Sequence, residues 1–177
     1  YMLNYMLNQK RILTIIALYL GAVILQYGIL NNLGWGIFCP QLLLFFPIYG
    51  GILDGSKTGM ILGGISGFLM DMIIGRFIGI GLLVWLAIGW LAGRYGSPFY
   101  KENYILPLVS VAVSVIAGNL LYALLIGLVG GYWVASGQLA GIIIGGLIVN
   151  CVISPIIYLP VYRSACSGYL KKRRLGD

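Results

Sequence analysis

Residues 51–83 read GILDGSKTGMILGGISGFLMDMIIGRFIGIGLL. Glycine recurs every fourth residue at Gly51, Gly55, Gly59, Gly63 and Gly67. Asp71 takes the next step, and Gly75 and Gly79 follow. At 3.6 residues per turn, positions four apart drift by only about 40° per step. Gly59, Gly63, Gly67 and Asp71 therefore lie on one slowly winding stripe of a helix. Two apolar runs, 58–74 and 77–93, are separated here by Gly75 and Arg76 alone, which predicts a tight helical hairpin. Small residues at this spacing let a second backbone approach closely, and in lipid such packing replaces the missing hydrophobic drive between helices. The stripe has two candidate occupants: another helix of the same chain, or a transmembrane helix of a partner docked on Gly59, Gly63 and Gly67.

The rest of the chain supports the membrane setting. Of 177 residues, 60% are hydrophobic and 8% charged, and mean hydropathy is +0.99. A soluble domain carries about a quarter charged residues, because its surface must face water. Crossing roughly 30 Å of hydrocarbon takes about 20 apolar residues. Candidate spans are 12–30, 38–53, 58–74, 77–93, 105–127 and 139–162, with a basic tail over 163–177. The second is short, contains Pro40 and Pro47, and is open to being re-entrant.

Charge placement fixes a predicted orientation. With the amino end in the cytoplasm and six spans, Lys10, Arg11, Lys57, Arg94, Lys101, Arg163, Lys171, Lys172, Arg173 and Arg174 fall on the cytoplasmic side. Only Arg76 falls outside, a strong positive-inside bias. The expected architecture is an all-α integral membrane bundle of six transmembrane helices with both termini cytoplasmic. Trp35, Tyr132 and Trp133 lie in expected outer loops, where aromatics anchor at headgroup level or line an outward cavity. Lys171, Lys172, Arg173 and Arg174 are placed to meet anionic lipid or a cytoplasmic partner. No small-residue cleavage site marks a signal peptide after the first apolar run.

The net charge of +7 does not point to nucleic acid, because no basic stripe with interleaved aromatics accompanies it. Cys39, Cys151 and Cys166 are too scattered for a metal site or a disulfide framework. No cofactor motif is present. Catalysis would need a nucleophile with a base, or paired carboxylates. The sequence has no histidine, and Ser66 and Asp71 do not stack on one helix face. Asp71 is expected to pair with Arg76 across the Gly75 turn; a proton relay lacks a second acid nearby. In the last span Asn150, Ser154 and Pro155 predict polar helix–helix fixing, with Asn119 and Tyr122 as possible contacts, and a kink where Pro155 removes an N–H.

The pattern Gly67-x3-Asp71-x3-Gly75-x3-Gly79, ending in Leu82 and Leu83, resembles the signature of the MreD family of rod shape-determining membrane proteins. Pro40-Gln41 at the start of a short second span, Asn150 five residues before Pro155 and the basic tail agree with it, over nearly the whole chain. The resemblance implies a non-enzymatic scaffold of the bacterial elongation machinery in the cytoplasmic membrane. Its partners would be MreC above all, then MreB, RodA and a penicillin-binding transpeptidase. The family is similar in fold to the substrate-binding subunits of energy-coupling-factor vitamin transporters, which supplies a rival. Against that rival, the alanine pair expected in the first helix is only approximated here by Ala17 and Gly21.

Overall fold

The computed structural model describes residues 2–33, 38, 40–75, 77–96, 105–131 and 133–167, with the side chains of 2–12, 31, 33, 106 and 159–167 left aside. Its helices are α1 (Met2–Val23), α2 (Phe45–Asp54), α3 (Ser56–Ile74), α4 (Ile80–Leu91), α5 (Ile105–Gly130) and α6 (Ser136–Ser167). No strand occurs among the described residues. Helix α1 continues as a π-helical segment, Ile24–Ile29, and a 3-10 turn, Leu30–Leu33. A 3-10 turn, Leu42–Leu44, leads into α2, and a π-helical segment, Ala92–Gly96, ends α4.

By length and composition, Ser56–Ile74, Pro107–Gly130 and Ser136–Tyr158 suffice to cross a membrane. Leu13–Ile29, Leu42–Asp54 and Ile80–Gly96 are shorter apolar helices. The shortest has a structural reason. Leu44 of the 3-10 turn and Ile48, Tyr49 and Ile52 of α2 are almost wholly enclosed, together with Ile80, Val84, Trp85 and Ile88 of α4, Val111 and Val115 of α5, and Tyr158 of α6. Helix α2 is thus the core of the bundle, as apolar segments of about 10–14 residues often are. Large apolar side chains on α1, α3, α5 and α6 face outward, among them Leu20, Ile61, Val113 and Val152. Helices in lipid need no polar outer face, so this inside-out look is what the solvent permits.

The segment leading into α2, from Gln41 through the 3-10 turn, enters the bundle, where free backbone N–H groups would be costly. Side chains from two other helices receive them. Asn150 Oδ1 accepts from Gln41 N at 3.0 Å, and Gln26 Oε1 accepts from Leu43 N at 3.2 Å. Asn150 Nδ2 in turn donates to Gly146 O at 2.8 Å, so this fully buried amide is satisfied on both sides. Asn150→Leu is expected to strand the Gln41 N–H and cost about 1–3 kcal/mol. Thermal unfolding in detergent should show the drop, and an unchanged melting temperature would remove Asn150 from the account of α2.

Helix α6 continues through Pro155 to Ser167. Beside that proline, Tyr49 Oη donates to Ser154 O at 2.9 Å and lies 2.9 Å from Ser154 Oγ. The Tyr49 ring meets Tyr158 edge-on, with centroids 5.3 Å apart. The polar positions of α6 thus hold the central helix. Asn119 does not join them, as it donates to Val115 O of its own helix at 2.8 Å.

Candidate functional site

Helices α3 and α4 form the most extensive helix pair of the fold. Glycine determines how close they come. A Cβ on Gly59 would run into Gly89 O, one on Gly63 into Trp85 O, and one on Gly67 into Gly81 O. The clash is reciprocal: a Cβ on Gly89 would meet Gly59 O, and one on Gly81 would meet Gly67 O at 3.2 Å. The two antiparallel backbones therefore advance four residues at a time, Gly59, Gly63 and Gly67 against Gly89, Trp85 and Gly81. Helix α2 joins at one end, where a Cβ on Gly51 would sit 2.8 Å from Gly93 N. This close approach favours weak Cα–H···O contacts, worth about 0.5–1 kcal/mol each.

The expectation that Gly59, Gly63 and Gly67 dock a partner's helix is therefore corrected. All three are buried beneath α4 of the same chain. A partner helix on that face would first have to displace α4. The packing mechanism inferred from the spacing is present, but its occupant is internal.

Asp71 closes the far end of the same seam. Helix α3 stops at Gly75, whose φ of 69° is left-handed. Gly79, with φ 108°, precedes the first residue of α4. A glycine there has no side chain to receive the free N–H groups of the helix start. Asp71 supplies that acceptor from α3: Oδ2 accepts from Gly79 N at 2.8 Å and Leu82 N at 3.1 Å, and Oδ1 from Gly81 N at 3.0 Å. It is an N-cap delivered by another helix, with a carboxylate on the positive end of the α4 dipole. Gly81 is needed again, because a Cβ there would collide with Asp71 Oδ1. The carboxylate is 1% exposed. Its expected partner Arg76 lies outside the described residues, and the three backbone amides account for Asp71 without it.

Other polar groups inside the bundle also join helices. Tyr19 Oη of α1 donates to Leu62 O at 2.8 Å and lies 3.0 Å from Ser66 Oγ of α3. Trp85 Nε1 donates to Met70 Sδ at 3.3 Å across the α3–α4 seam. Gln26 and Tyr19 did not stand out in the sequence, although a glutamine and a tyrosine within an apolar span were signals available there. Pro155 is exposed, and Trp133 is exposed with its ring against Gly127. Trp35, Cys39, Tyr132, Lys171, Lys172, Arg173 and Arg174 lie outside the described residues.

The family model described as rod shape-determining protein MreD matches residues 6–163. No curated protein and no solved structure matches the chain.

Proposed function

Since the chain belongs to the MreD family of rod shape-determining proteins, we propose that it acts as a non-enzymatic scaffold of the cell-elongation complex in the bacterial cytoplasmic membrane. Both termini face the cytoplasm, and its activity lies in which helices it holds. The supporting observation is where its polar side chains go. Asp71, Asn150, Gln26, Tyr19 and Tyr49 all bond backbone of other helices or the segments leading into them, while the outer faces stay apolar. A rigid body with apolar flanks suits docking of transmembrane partners.

With the glycine seam occupied, the docking face moves to the back of α3. Ile61, Ile65, Phe68 and Met72 are exposed there and step by four, three and four residues, the spacing of a left-handed helix-packing seam. Clamping α3 to α4 pre-organises that face, which lowers the ordering cost of association. The partner is MreC, with MreB, RodA and a penicillin-binding transpeptidase in the wider assembly and the basic tail on anionic lipid. A photoreactive residue at Phe68 should cross-link MreC in growing cells, and one at Val113 on α5 should not. Equal capture at both positions would sink the assignment of the face. Failure of MreC to co-purify at all would sink the scaffold reading.

A further inference from the structure

Ser114 of α5 is 7% exposed, and among the described residues its hydroxyl meets no hydrogen-bond partner. A buried hydroxyl left dry is costly, so such groups in folded proteins bond to protein or to ordered water. Ser114 lines a small cavity shared with Gln41 ahead of α2, Met70 of α3, Trp85 of α4 and Asn119 of α5. Its polar neighbours each keep one group unused. Gln41 directs its backbone N–H to Asn150 and its carbonyl accepts from Leu44 N at 3.0 Å. What Gln41 still offers the cavity is its side-chain amide. Asn119 donates Nδ2 to Val115 O, which leaves Oδ1 as an acceptor. The opposite wall is already paired within itself, Trp85 Nε1 to Met70 Sδ.

The chemistry of these groups selects the occupant. A hydroxyl and an amide both donate and accept, and a carbonyl oxygen accepts. An apolar occupant would leave all three unpaired. No charged side chain lines the cavity among the described residues, so an ion would arrive without a counter-charge. Water, with two donors and two lone pairs, suits the set. The space open to water centres is about 30 Å³, and one water needs about 10–15 Å³ with two to four polar partners. We infer that the cavity is a hydration site, in which an ordered water bridges Ser114 Oγ, the Gln41 side-chain amide and Asn119 Oδ1. Neither Ser114 nor Asn119 bonds another helix directly among the described residues, so the water ties α5 to the entry of α2.

Trp85 is a built-in reporter, because hydroxyl radicals made from a bound water by an X-ray pulse oxidise the side chains beside it. The full chain, purified in detergent, is irradiated, digested and read by mass spectrometry. In wild type Trp85 should be oxidised well above Tyr49, which is buried elsewhere in the core and bonded to Ser154. Ser114→Val replaces the hydroxyl by a methyl, and Trp85 oxidation should then fall to the Tyr49 level. Gln41→Leu leaves the backbone bonds of the α2 entry in place and should cause the same loss, so it serves where Ser114→Val does not fold. Wild-type oxidation of Trp85 no higher than that of Tyr49 overturns the inference. So does oxidation that stays at the wild-type level in a folded Ser114→Val or Gln41→Leu protein.

Discussion

Gly63→Ala is expected to destabilise the protein by about 3 kcal/mol, and Gly63→Leu to leave little folded protein in the membrane. The added methyl falls on Trp85 O and its carbonyl carbon, which are backbone atoms of α4 and cannot swing aside as a side-chain tip would. The helices would have to separate, and separation undoes the neighbouring contacts at Gly59 and Gly67 as well. Alanine's better helix propensity returns about 1 kcal/mol at most. Gly64 supplies an internal control one residue away. A Cβ there meets only the Leu86 Cδ1 atom at 3.9 Å, an ordinary contact. Gly64→Ala should therefore be neutral or mildly stabilising. Thermal unfolding of the three purified proteins separates a face-specific clash from a general dislike of substitution in α3. If Gly63→Ala melts like Gly64→Ala, the two helices do not pack as closely as described.

The same seam shows what a sequence can and cannot reveal about such a protein. The period-four glycines of α3 are visible at once, and so is their role in close packing. Their counterpart in α4 and the π-helical segment after it is harder to see, because Gly81, Trp85, Gly89 and Gly93 put the largest side chain in the middle of the series. Small-residue patterns are sought where a side chain must be absent. At Trp85 the close contact is made by the carbonyl, while the indole lies to the side on Met70 of α3 and the core, so a large residue there hides the close approach of the backbones. The occupant of the Gly59–Gly67 face could not be chosen from α3 alone.

Asp71 was legible as important but not as a cap. Its acceptors' partners are backbone N–H groups eight to eleven residues on, which no side-chain code announces, whereas Arg76 advertises a charge. The short second span is a parallel case. Its length left a re-entrant segment open beside a sixth span. The structure packs it as the central helix, and the side chains of Gln26 and Asn150, distant in sequence, take up N–H groups at its deep start.

Asp71→Ala is expected to be the most damaging single change in the α3–α4 turn. It strands three N–H groups, the buried one of Gly81 and the part-buried ones of Gly79 and Leu82. Each buried donor left without an acceptor costs about 1–3 kcal/mol, and loss of a carboxylate from a helix N-terminus adds up to ~2 kcal/mol. At the low end the sum is about 3 kcal/mol, a large part of the roughly 5–15 kcal/mol that holds many domains folded. Asp71→Asn should be intermediate. The amide keeps one oxygen, and placed at the Oδ2 position it serves Gly79 and Leu82, but its NH2 then faces the Gly81 N–H donor to donor. Arg76→Gln separates capping from ion pairing. If the amides hold the turn, that variant melts far closer to wild type than Asp71→Ala does. If Arg76→Gln and Asp71→Ala are equally unstable, the turn depends on the charge pair and the cap is secondary. Melting temperatures in detergent, read together with the protein's accumulation in cells, decide between them, because the cap works inside one chain and its loss must appear in isolated protein before any partner is involved.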